Sequence, residues 1–215
     1  MLFIDTKRSL RLMFRVRLFF DRMIDNECLN LDKGMHVKHR LTKYHDFFCN
    51  KLKKNEIVLD IGCGNGFLDY DMATRVGAKI IGIELSKQNY NIAVKRYPHK
   101  NIEYVLGDAL AYLPSTKIDT IVMSNVLEHL ENRVDFLKKV QKQINPKRWL
   151  IRVPMINRDW QTALMKDLGI DYRLDPTHYI EYTEESFRRE IKKAGLRVNE
   201  IKINWGEIWS EVESV

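Results

Sequence analysis

Apolar positions change their spacing several times along the chain, and each change marks an element. "EIVLDI" (56–61) gathers Ile57, Val58, Leu59 and Ile61 into one short run, the pattern of a buried strand. "KIIGIEL" (79–85), "IEYVLGD" (102–108), "IDTIVMSN" (118–125) and "RWLIRVP" (148–154) read the same way. Between them the spacing turns helical. "FLDYDMATRV" (67–76) predicts a helix closed by Gly77, and Ser86 is a good N-cap for "KQNYNIAVKRY", which Pro98 stops. "RVDFLKKVQKQI" (133–144) places Val134, Phe136, Leu137, Val140 and Ile144 on one face. "TEESFRREIKKAG" (183–195) opens with Thr183 and Ser186 in a capping-box pattern and ends at Gly195. "LRVNEIKIN", Trp205-Gly206 and "EIWSEVESV" predict a terminal hairpin. Strand alternating with helix means a parallel sheet covered on both faces. Ligands bind such sheets beyond the carboxyl ends of the strands, at the topological switch point.

Before the first strand the pattern differs. Leu12, Met13, Val16, Phe19, Phe20 and Met23 recur at a helical period, and Arg8, Arg11, Arg15 and Arg22 occupy another face. This basic amphipathic helix, assigned to residues 1–34, is expected to form a lid over the site. The alternative is peripheral contact with an anionic membrane. Residues 35–215 form the main domain, with an acceptor-side insert at about 155–182 that opens with "MINRDWQTALMKDLGIDY". No apolar run approaches a membrane span, and the N-terminus lacks a clean signal-peptide core. Cys28, Cys49 and Cys63 are scattered and odd in number, which suits a reducing cytoplasm. The net charge of +7 suits nucleic acid, an anionic surface or an acidic ligand without choosing among them.

The candidate chemistry begins at "GCGNG". Gly62, Gly64 and Gly66 stand directly after a strand and before a helix, whose N-terminus offers unpaired N–H groups. The next strand ends in Glu84, a carboxylate placed to accept both hydroxyls of a ribose. A dinucleotide fingerprint needs a third glycine where this chain has Phe67, which damages that reading.

These residues resemble those of the class I S-adenosylmethionine-dependent methyltransferases. "VLDIGCGNG" resembles their first motif, "IGIELS" the second, "LGDAL" the third and "SNVLEHL" the fourth, in order from about residue 36 onward. The resemblance implies an α/β, Rossmann-like three-layer sandwich, with a seven-stranded, mostly parallel sheet whose last strand is antiparallel. It implies S-adenosyl-L-methionine as cofactor, lying over Asp60, Gly62, Cys63, Gly64, Asn65 and Gly66. Glu84 and Leu85 would meet its ribose, Asp108 and Ala109 its adenine, and Ser124 and Asn125 would sit at the end of the fourth motif strand.

A hydroxyl acceptor needs a base beyond the fourth and fifth strands. His129 and His178 are the candidates, although His129 also reads as part of a helix start and His178 as a turn cap. Ubiquinone-type O-methyltransferases, which resemble this region, carry acid, acid and histidine here. Asn125 replaces the first acid, so no metal site is assigned. Trp160, Tyr172 and Tyr179 are candidate acceptor contacts in the insert, and His39 and Arg40 are candidates from "MHVKHRLTKYHDFF". The expected function is methyl transfer to oxygen of a small-molecule or glycan acceptor, with nucleic acid disfavoured as partner. An RNA methyltransferase and a non-catalytic cofactor-binding interaction protein are the alternatives; the oligomeric state is left open.

Overall fold

The computed structural model describes residues 5–31 and 36–215, and its strands form a single sheet. They are β1 (Ile57–Ile61), β2 (Lys79–Glu84), β3 (Ile102–Leu106), β4 (Thr120–Ser124), β5 (Arg148–Pro154), β6 (Leu196–Asn204) and β7 (Glu207–Ser214). Their order is β3-β2-β1-β4-β5-β7-β6, parallel through the first five. β7 runs antiparallel to both neighbours, as expected of the last strand. The order reverses between β1 and β4, so the glycine loop after β1 opens at the switch point.

Alternate residues of the central strands serve opposite faces. Leu59, Ile121, Met123, Trp149 and Ile151 face helices α6 (Arg133–Ile144) and α8 (Glu184–Lys193), joining Phe136, Leu137, Phe187 and Ile191. Val58, Val122 and Leu150 face α3 (Tyr44–Lys51) and α4 (Phe67–Asp71), joining Phe47, Phe48 and Leu68. The expected start and stop signals are present. Ser86 Oγ accepts the Asn89 N–H at the start of α5 (Lys87–Arg96), and Thr183 and Ser186 make both bonds of the capping box.

Two boundaries differ from the sequence reading. The helix expected over 67–76 is α4 followed by one π-helical turn, Met72–Val76, closed by Gly77 at φ 78°. β3 stops at Leu106, where β2 also ends, and the Gly107 N–H to Glu84 O is the last bond of their ladder. The segment before β1 is two helices, α2 (Lys38–Thr42) and α3, broken at Lys43 with φ 52°. The expected domain boundary at 34/35 lies outside the described residues.

The N-terminal helix is α1 (Thr6–Leu31), and it docks by a face other than the one its periodicity marked. Phe14 packs with Met165, Leu168 and Ile170 of the insert, which contains α7 (Trp160–Asp167). Leu10, Leu18 and Tyr172 border this contact. Arg11 Nε donates to Leu168 O at 2.9 Å, and Arg17 bonds Gln161. Phe14→Ala should therefore release α1 without unfolding the sheet. Hydrogen exchange across residues 6–31 should accelerate while the thermal midpoint moves by under about 2 °C, less than ~1 kcal/mol. A large drop in the midpoint would show that α1 is part of the cooperative core.

Candidate active site

The three glycines of the loop do different things. A Cβ on Gly62 would come within 2.6 Å of Val126 Cγ2, and one on Gly66 within 2.5 Å of Tyr104 Oη and 2.9 Å of Ala93 Cβ. Those two are small because protein packs against them. Gly64, at φ 58°, has nothing within 4 Å of its Cβ position. It is the glycine that faces open space. Its N–H donates to Glu84 Oε2 at 2.8 Å, while the Ser86 N–H donates to Glu84 Oε1 at 2.8 Å. The carboxylate at the end of β2 is thus fixed before any ligand arrives.

Gly62, Gly64, Ser124 and Asn125 border two clefts that meet at the loop. The larger, about 670 Å³, is also lined by Glu84, Leu85, Asp108, Ala109 and His129. The smaller, about 390 Å³, is also lined by Asp60, Cys63, Asn65, His39 and Arg152. Every expected cofactor residue except Gly66 lines one of them. The arrangement suits a nucleoside on Glu84 and Asp108 with an amino-acid tail running past Asp60.

Beneath the loop Asp60 stands beside a second acid, Asp69, that the sequence reading passed over. Asp60 and Asp69 are fully buried, and Asp60 Oδ1 and both Asp69 oxygens have no hydrogen-bond partner. Burial raises both carboxyls, Asp69 to about 7, and the Asp69 charge pushes Asp60 further. The Cys63 thiol beside them is raised as well, by burial and then by the Asp69 charge. The pair therefore keeps a proton. The signal was available, since Asp69 stands between Leu68 and Met72, both inward-facing.

A second buried group stands at the far side of the larger cleft. The 3₁₀ turn Leu127–His129 after β4 sets Glu128 inward, fully buried, with neither carboxylate oxygen bonded. Burial pushes its carboxyl up to about 8. His178 Nε2 lies 4.0 Å from Glu128 Oε1, and its Nδ1 lies 3.3 Å from Glu181 Oε1. The His129 ring meets that of His178 edge-on at 4.6 Å, and its Nδ1 is 2.8 Å from Thr177 Oγ1. Burial and the neighbouring His178 lower the His129 pKa, keeping it neutral. One ligand atom from each of Glu128, His129 and His178 falls within 4.8 Å of the others. An unpartnered buried carboxylate beside two imidazoles fits a divalent cation. Asn125 therefore does not remove the donor set, because His178 arrives from the insert to complete it.

The remaining candidates do not converge on the clefts as expected. His39 does, with Nδ1 2.7 Å from Tyr44 Oη, and burial followed by the His45 charge lowers its pKa to about 3. Arg40 is exposed on α2. Trp160 is 72% exposed at the start of α7, and Tyr172 packs beside the α1 contact. His178 is buried behind His129 and lines neither cleft, and the Tyr179 side chain is exposed while its N–H donates to Glu128 O. The insert turns its aromatic residues toward α1 and solvent because α1 supplies the apolar surface that α7 needs.

Arg152 was missed altogether. Its guanidinium is buried, paired with Glu207 at 2.6 and 2.7 Å, bonded to Ser124 Oγ at 3.1 Å and stacked 3.7 Å over the Tyr44 ring. An arginine in the middle of an apolar strand was its sequence signal.

A reversed seventh strand, a glycine turn at the switch point and a carboxylate closing β2 define the fold of an S-adenosylmethionine-dependent methyltransferase. The chain belongs to that family: residues 34–201 match the methyltransferase domain family Methyltransf_23. It is 31% identical over 128 residues to the ubiquinone biosynthesis O-methyltransferase of Pelagibacter ubique, covering 58% of this chain and 52% of that protein. It is 29% identical over 180 residues to the Rhodopseudomonas palustris enzyme of the same name, covering 75% and 70%. The chain thus spans about half the length of the first relative. In fold it is similar to an S-adenosylmethionine-dependent methyltransferase from Aquifex aeolicus, with TM-score 0.64, 20% identity, and 87% and 97% of the two chains covered.

The glycine geometry separates binding from stability. Gly64→Ala should lose at least about tenfold in S-adenosylhomocysteine affinity, measured by calorimetry, for roughly 1 kcal/mol of backbone strain. Gly66→Ala should lose a further ~1–3 kcal/mol of stability to overpacking against Tyr104. Equal effects of the two changes on affinity and stability would refute the assignment.

The acid pair makes stability fall with pH. The folded chain holds the Asp69 proton between an ordinary 3.8 and about 7, where the unfolded chain has released it, so raising pH favours unfolding. In urea titrations Asp69→Asn should gain on the native chain by up to about 1.4 kcal/mol per pH unit across that window. Parallel pH profiles would show that the pair holds no proton.

Proposed function

We propose that the chain methylates a hydroxyl oxygen of a small-molecule acceptor that enters the larger cleft from the His129 side. The observation that carries this reading is a neutral imidazole on the cleft wall, with the open face of Gly64 on the same cleft. The names of the relatives, O-methyltransferases of ubiquinone biosynthesis, favour a small-molecule acceptor over a glycan.

When bound, S-adenosylmethionine supplies an activated sulfonium methyl, and the protein's task is alignment, exclusion of water and removal of one proton. Glu84 and Asp108 hold the nucleoside, and the lobe at Asp60, His39 and Arg152 takes the amino-acid tail. His129 accepts the acceptor hydroxyl proton. His178, locked by Glu181, fixes the His129 ring and acts as a positioning residue.

The unpartnered Glu128 favours a second reading of the same cluster. There Glu128, His129 and His178 hold a divalent cation, which would lower the pKa of the acceptor hydroxyl as a Lewis acid.

Turnover against phenolic, quinone and glycan acceptors, read as S-adenosylhomocysteine release, tests both readings. With His129 as base, His129→Ala should keep cofactor affinity, lose about 10²–10⁴ in kcat and lose the acidic limb of the pH profile. His178→Ala should lose less rate and keep that limb. A chelator should then change nothing. Rate abolished by chelation and restored by added divalent cation would replace the base with the cation. Normal rates in both variants, with or without chelator, would remove the cluster from the reaction.

A further inference from the structure

The most prominent surface that the methyltransferase reading leaves unused is the outer face of α1. Leu12, Met13, Val16, Phe19, Phe20, Met23 and Ile24 fall on one side of this helix, and each is between 48% and 64% exposed. Leu10, Phe14 and Leu18 fall on the other side, against the insert. The helix is apolar on two opposite faces, and only one is covered. At about 1.5 Å per residue, the open face runs roughly 18 Å from Leu12 to Ile24.

The charges around this face identify its occupant. Arg8, Arg15 and Arg22 are seven residues apart and line one flank, and Arg17 stands on the other. Between Thr6 and Ile24 the only acid is Asp21, which is bonded by Arg17. Asp25, on the insert side, faces His36 Nε2 at 3.5 Å, and Glu27 lies on the open side between Ile24 and Leu31, where Asn30 Nδ2 donates to its carboxylate at 3.3 Å. Trp160, 72% exposed, adjoins Gln161, the residue that Arg17 bonds. Apolar side chains flanked by arginines match a layer of acyl chains beneath anionic headgroups. A second copy laid on the same face would meet its partner's flanking arginines with only Asp21 and Glu27 to oppose them, each already hydrogen-bonded within its own helix. Among the described residues no helix is long and apolar enough to cross a membrane, so the geometry is one of lying in the surface.

We propose that α1 seats the enzyme on an anionic lipid bilayer, with Phe19 and Phe20 inserted and Arg8, Arg15 and Arg22 on lipid phosphates. The inner face of α1 is taken by the insert, and Leu29 near its end borders the smaller cleft, so the seven outer side chains are left for the bilayer.

Sedimentation of the full chain with phosphatidylglycerol–phosphatidylcholine vesicles, and with phosphatidylcholine alone, tests this. Binding should be at least about tenfold stronger to the anionic vesicles and should weaken in high salt. The triple change Arg8→Gln, Arg15→Gln, Arg22→Gln should lower partition on the order of a hundredfold. The double change Phe19→Ser, Phe20→Ser should abolish it. Both variants should bind S-adenosylhomocysteine like the native chain, which shows that they fold. No sedimentation, equal binding to both vesicle types, or concentration-dependent dimerisation that Phe19→Ser and Phe20→Ser abolish without any vesicle binding would each overturn the proposal.

Discussion

One buried guanidinium ties the site to the sheet. Arg152 sits in the middle of β5 and binds Glu207 of β7, Ser124 at the end of β4 and the ring of Tyr44 in α3. Burying a charge is costly unless it is paired and its donors are satisfied, and here separate segments supply the compensation. The cost is accepted in the place where β4 gives way to Asn125, the residue with φ 56° that turns the chain beneath both clefts. The Asn125 N–H in turn donates to Arg152 O, so the same residue holds this turn through both side chain and main chain.

Around that fixed point the site is a set of carboxyls kept in different states. Glu84 is held by two N–H groups and ready for hydroxyls. Burial raises the Asp60 and Asp69 carboxyls under the loop, which limits the negative charge stored there. Glu128 has no partner, and that imbalance draws attention to the histidines beside it. All four carboxyls are buried, so it is the donors each one finds that separate these roles.

The strands, the glycine loop and Glu84 were legible because their signals are local: an apolar run, a turn that excludes side chains, an acid at a strand end. Asp69 and Arg152 were not read, although each is a charged residue in an apolar setting, because a charge inside an element acquires meaning only from what lies across from it. α1 failed differently. Its sequence is apolar on two faces, and periodicity reports which residues share a face without saying which face finds a partner. The same ambiguity misdirected the insert, whose Tyr172 borders the α1 contact and whose Trp160 faces solvent. His178 came to Glu128 through tertiary folding, so no spacing in the chain announced that cluster.

The pairing of Arg152 with Glu207 also sets an order of events. Tyr44 and Glu207 lie near opposite ends of the main domain's sequence, and the β6–β7 hairpin must dock on β5 through β7 before the guanidinium has its counter-charge. Contacts of such long sequence separation close late. The smaller cleft is therefore among the last parts of the fold to mature, and a chain whose final hairpin has not yet docked has a sheet but no finished seat for the cofactor's tail.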